Sequence, residues 1–84
     1  MAEFSVGQVV ISRQGKDAGF VYVVGSVEAD RVKLIRPPKF NTTHMKAKNP
    51  KHLQPTGKRA EELIAIIEAG QDIDAGYFHR SVMS

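Results

Sequence analysis

The 84-residue chain has no cysteine. Disulfides and thiolate metal sites are therefore excluded, and the fold must hold by packing alone, as in a reducing compartment. No apolar run approaches the roughly 20 residues that span a bilayer. The first residues, Met-Ala-Glu-Phe, lack the basic-then-apolar order of a signal peptide. A cytoplasmic protein without membrane contact is expected. With 42% apolar and 25% charged residues, the composition is that of one small globular domain, not a multidomain enzyme. A chain this short buries only about 60–65% of the surface it exposes when unfolded, so a deep enclosed substrate cleft is not expected.

The middle of the chain lacks negative charge. The formal net charge is only +3, but it is unevenly spread. Residues 1–30 sum to −2 and residues 60–84 to −4, whereas residues 31–59 carry nine cations and no carboxylate. The nine are Arg31, Lys33, Arg36, Lys39 and Lys46, followed by Lys48, Lys51, Lys58 and Arg59. His44 and His52 lie in the same stretch. They are too far apart, and too short of carboxylates, for a metal site.

Valine and isoleucine punctuated by glycine predict strands at about 7–12, 20–27 and 31–35, with Glu28-Ala-Asp30 as a hairpin connection. Arg13–Gly19 reads as a loop turned by Gly15 and Gly19. It is not a phosphate-cradling loop, since no helix follows. Pro37 and Pro38 predict an extended connection. In Thr42–Lys48 the alternation predicts a strand with His44, Lys46 and Lys48 on one face, and Met45 and Ala47 packing on the other. Leu53 is expected to anchor a last short strand through Lys51, His52 and Gln54, closed by Pro55-Thr-Gly57.

From Lys58 a helical period begins, with Leu63, Ile64, Ile66 and Ile67 as its apolar stripe. Thr56 is expected to cap its start and Gly70 its end. Asp72 or Asp74 then opens a second helical turn through Phe78. The reading is a mainly β fold, a small five-stranded barrel over residues 1–57, with a C-terminal helical extension at 58–84 packed on it.

Val6-Gly-Gln-Val-Val-Ile-Ser-Arg-Gln-Gly-Lys-Asp-Ala-Gly-Phe-Val-Tyr-Val-Val24 resembles the KOW motif, a strand, basic glycine-containing loop and second strand. With the following hairpin and basic proline segment, residues 5–55 are similar to the KOW-type ribosomal large-subunit proteins. They are also similar to short KOW-domain RNA-binding proteins of Gram-positive bacteria, which often end in Lys-His-Leu, as at Lys51–Leu53 here. The resemblance implies a Src-homology-3-like barrel that binds RNA, usually ribosomal RNA. It matches Gly19 to the motif glycine, and Arg13 and Lys16 to RNA-facing cations. Two positions depart from the pattern: Ala18 stands where a lysine usually precedes the glycine, and Asp17 puts an acid in the loop.

Clustered cations suit a phosphate backbone through counterion release. Arg13, Arg31 and Arg36 can grip a phosphate bidentately, whereas lysines act as point charges. Phe40 is a candidate platform for an unpaired base, although phenylalanine in so small a chain is more often core. No Ser-His-Asp or Cys-His arrangement supports catalysis, and Asp72 and Asp74 read as capping residues. The expectation is thus a non-enzymatic, cofactor-free protein of translation that binds ribosomal or other structured RNA, with ribosomal proteins as further candidate partners. The alternative is a protein-interaction module, docking through the barrel or the apolar helix, of the kind found in transcription elongation. Nothing in the pattern addresses oligomeric state.

Overall fold

β-Branched runs interrupted by glycine build antiparallel strands. The computed structural model describes residues 3–83. The strands are β1 (Gln8–Ser12), β2 (Val21–Val27), β3 (Val32–Ile35), β4 (Lys46–Lys48) and β5 (Leu53–Arg59); the helices are α1 (Glu61–Glu68) and α2 (Ala75–Met83). The sheet order is β4-β3-β2-β1-β5, with every pairing antiparallel. The fold is therefore mainly β, with two C-terminal helices. Its sheet is open, with β4 and β5 as edges; the expected closure is not formed as a ladder between them.

Alternation divides the apolar residues between two faces. Val9, Val23 and Ile35 pack against Leu63, Ile67, Ile73, Phe78 and Val82 of the helical segment. Val10, Tyr22, Val24, Leu34 and Leu53 point the other way and form a second cluster that contains no helix residue. They are nonetheless almost fully buried, so the sheet curls over its own concave face, with Phe4 and Phe40 packed against the cluster. A register shift between Val24 and Ser26 falls at Gly25 and contributes to the bend. A Cβ at Gly25 would collide with Met45 and Ile35.

Several elements depart from expectation, each for a local reason. Pro37 and Pro38 sit in a tight turn, not an extended connection. Arg36 and Phe40 exchange backbone hydrogen bonds of 2.8 and 3.1 Å across it, and neither proline needs to donate. Asn41 and His44 close a second turn in the same way, which confines the strand expected over 42–48 to Lys46–Lys48. Pro50–His52 is a 3-10 turn capped by the Asn49 side chain, so Lys51 and His52 lie outside the last strand.

β5 continues through Pro55 and Gly57 to Arg59. An edge strand tolerates proline, and Gly57, at φ +84°, lies within an irregularity opposite Gln8–Val10. The Thr56 hydroxyl serves that irregularity: it donates to the Val9 carbonyl and accepts from Lys58 N–H. It does not cap a helix, and α1 starts at Glu61 after Ala60, three residues later than the period predicts.

Gly70, at φ +72°, ends α1 as expected. Gly70 N–H bonds Ile67 O and Gln71 N–H bonds Ile66 O, the paired bonds of a left-handed helix terminus. Asp74 caps α2 by accepting from Tyr77 N–H, and the helix runs past Phe78 to Met83. Asp72 instead accepts from both the N–H and the hydroxyl of Thr43, while Asn41 bonds the N–H and C=O of Ile73. These contacts latch the 41–44 turn to the connection between the helices. No described helix is long and apolar enough to cross a membrane.

Candidate nucleic-acid interface

The Arg13–Gly19 loop, the Arg36–Phe40 turn and β4 surround a groove of about 640 Å³ on the concave side of the sheet. Parity explains its lining. Phe20, Tyr22 and Val24 alternate on one face of the β2 chain, and Lys46 and Lys48 stand opposite Leu34 and Val32, so both lysines turn toward the concave side. The alternation expected for β4 is therefore present, with Met45 packing on the helix side. Ala47 is exposed, however, and the two lysines are the more covered residues.

Asp17 organises the floor. Its Oδ1 accepts from Ser12 Oγ at 2.9 Å and from Lys48 Nζ at 2.8 Å, and its Oδ2 accepts from Tyr22 Oη at 2.7 Å. The Asp17 and Lys48 side chains are only 13% and 11% exposed. Burial works to raise the Asp17 pKa. The hydrogen bonds from Lys48, Tyr22 and Ser12 and the charge of Lys48 outweigh it and hold the carboxyl at about 2, against 3.8 ordinarily. Burial, and then the bond to Asp17 and its charge, push the Tyr22 phenol well above its ordinary value. The acid that departs from the KOW pattern is thus a structural anchor, tying the basic loop to β4 and β2.

Because the Asp17 pKa is lowered on folding, the stabilisation is complete above pH 3.8 and is lost as pH falls through about 2. Denaturant unfolding is expected to show on the order of 1–2 kcal/mol of stability vanishing across that window, after allowance for solvent screening. Asp17→Asn removes the titrating group and should flatten this part of the profile; identical slopes in the two proteins would contradict the role.

The walls are cationic and aromatic. The Arg36 guanidinium lies 4.6 Å from the centre of the Phe20 ring and donates to Val21 O at 3.0 Å. Lys39 and Lys46 place their ammonium groups 5.5 and 5.1 Å from the Phe40 ring, on which His44 stacks at 6.0 Å. With Lys16 and Lys48, five cations and one carboxylate line the groove.

Of the residues singled out in the sequence, the fold gathers Lys16, Arg36, Lys39, Phe40, Lys46 and Lys48 here, with His44 beside them. The others are elsewhere. Arg31 and Lys33 sit at the β2–β3 hairpin beside Asp30 and Glu28. Arg59 contacts Glu61 and Ser5, and Lys58 donates to Val82 O beside α2. Arg13, Lys51 and His52 do not line the groove; the Arg13 N–H bonds the His52 carbonyl. The positive stretch therefore divides, part of it into one concavity and part into carboxylate-neighboured surface.

Phe20 was not among the expected site residues, yet it is 46% exposed at the groove, whereas Phe40 is half-buried against the concave cluster. The signal was its shared parity with Tyr22 and Val24, one step beyond the end of the strand. Among the described residues no group of histidines and carboxylates could hold a metal ion. No protein-family model matches the chain, and no curated protein does either.

Proposed function

We propose that this is a non-catalytic RNA-binding protein that holds structured RNA through the basic, aromatic groove, with ribosomal RNA, and hence translation, as the first candidate. The observation that carries the reading is the gathering of Lys16, Arg36, Lys39 and Lys46, from three separate segments, around Phe20 and Phe40. Lys48 is neutralised by Asp17, so the groove keeps a net charge of +4 from the residues that line it. Such a surface attracts phosphate by counterion release, and its rings add stacking. The KOW resemblance of residues 5–55 points the same way, and the curl of the sheet over Val10, Tyr22 and Leu34 supports a Src-homology-3-like barrel whose edges stay unjoined.

A second reading, docking of a protein partner, draws on a smaller, largely apolar concavity of about 330 Å³ between Phe20, Pro37 and α2. Crosslinking in cells, sequencing of the attached RNA, and gradient fractionation with and without ribonuclease decide between them. Enriched ribosomal RNA and co-migration abolished by ribonuclease are expected. Co-migration that survives the nuclease, with no crosslinked RNA, would replace the RNA reading with the protein one.

A further inference from the structure

The groove is ordered by charge from bottom to mouth. Its floor is Tyr22 with the mutually neutralising pair Asp17 and Lys48, all nearly covered. Its mouth carries Lys16 and Lys39, both exposed, and the half-covered Lys46. A phosphate is drawn to the cations of the mouth, and the floor, whose one ammonium is already taken up by Asp17, offers it no free positive charge. An uncharged planar group needs no such charge, and it meets the Phe20 ring and the Arg36 guanidinium. Arg36 is held by its bond to Val21 O, so this stacking surface exists before anything binds, and little rotamer freedom remains to be lost.

Size points the same way. A concavity of about 640 Å³ is within the range of small-ligand pockets, roughly 300–1,000 Å³. The whole molecule measures only 28 × 24 × 23 Å, so the groove takes a base and its sugar but not a double helix.

Resting on the RNA-binding reading, we infer that the groove is a pocket for one unpaired nucleotide, with its base inserted against Phe20 and Arg36 and its phosphates at Lys16, Lys39 and Lys46. A base in this position reads as a bulge, loop or single-stranded end of the target, since bases inside a continuous helix do not present their faces. Stacking on an aromatic ring is tolerant of base identity, so the test does not require the natural RNA.

The probe is a single-stranded RNA nonamer with 2-aminopurine at its centre, compared with the same strand annealed to its complement. Wild-type protein is expected to bind the single strand about tenfold or more tighter than the duplex and to quench the 2-aminopurine fluorescence on binding. Phe20→Ala should weaken single-strand binding by about 5- to 150-fold, the range of one base–aromatic stack, and abolish the quench with the salt dependence unchanged. Phe20→Trp should restore both. Phe20 is half-exposed, and circular dichroism of the variants checks that the fold is kept. Equal affinity for strand and duplex, with Phe20→Ala inert but binding still salt-dependent, overturns the pocket and leaves RNA binding standing. Absence of salt-sensitive binding to either probe overturns both.

Discussion

Replacing Lys16, Lys39 and Lys46 together by glutamate is expected to lower affinity for single-stranded RNA by at least about a hundredfold at low salt and to flatten its salt dependence. The physical basis is counterion release. For single strands the logarithmic slope against salt is about −0.7 per phosphate neutralised, so phosphates at Lys16, Lys39 and Lys46 predict a slope near −2 in the wild type. Three reversals take the groove from +4 to −2, and the slope should approach zero. The lesion is specific because none of the three lysines forms an ion pair among the described residues. Arg31→Glu with Lys33→Glu is the matched control. It changes the total charge by two-thirds as much but at the hairpin, where Glu28 and Asp30 already stand, and should cost only a few-fold. Fluorescence anisotropy across a salt titration measures all of these, and equal losses from the two sets would mean that RNA does not use the groove.

Asp17→Ala is expected to be the most damaging single change to the polar structure, with a loss of about 3–5 kcal/mol in urea unfolding. It takes the carboxylate from three donors: the Tyr22 hydroxyl loses its acceptor, while the Ser12 hydroxyl and the nearly covered Lys48 ammonium are left with only the Gln14 carbonyl, which carries no charge to balance the ammonium. Of these the buried charge costs most. Domains of this size have only about 5–15 kcal/mol in total, so the variant should lose a large part of its thermal margin. Adding Lys48→Met should recover much of the loss, because the unpaired charge is then gone. Ser12→Ala alone should cost about 1 kcal/mol. If Asp17→Ala proved no worse than Ser12→Ala, the three-donor anchor would not be what holds the loop.

β1, β2 and β3 were legible within a residue at each end, because β-branched residues broken by glycine leave little other choice, and Gly70 was legible as a helix end. Leu53 was recognisable as a buried anchor. The course of β5 was not, since proline and glycine read as punctuation unless the strand is known to lie at an edge. The start of α1 was hidden for a related reason: Thr56 has the chemistry of a cap, but its hydroxyl is engaged by the Val9 carbonyl. For the site, the cations of the middle stretch were visible, but their partition was not. Whether a lysine faces a groove or a carboxylate depends on contacts such as Lys48 with Asp17, which are 31 residues apart. The structural part of Asp17 was hidden on the same ground: in the sequence it is only an acid in a basic loop, and the partners that make it an anchor, Tyr22 and Lys48, are brought to it by the fold. Phe20 was overlooked because an aromatic at the head of a strand has the same appearance whether the sheet covers it or ends beneath it.

The latch between the 41–44 turn and the connection joining α1 to α2 changes what the C-terminal third of the molecule is for. Asn41 clasps both backbone groups of Ile73, and Thr43 is held by Asp72. The chain between Arg36 and Lys46, which carries Lys39 and Phe40, is therefore moored at its midpoint to residues from outside the sheet. The helices act as a buttress for one wall of the groove, so its shape is a property of the entire polypeptide and would not survive transplantation of the strands alone.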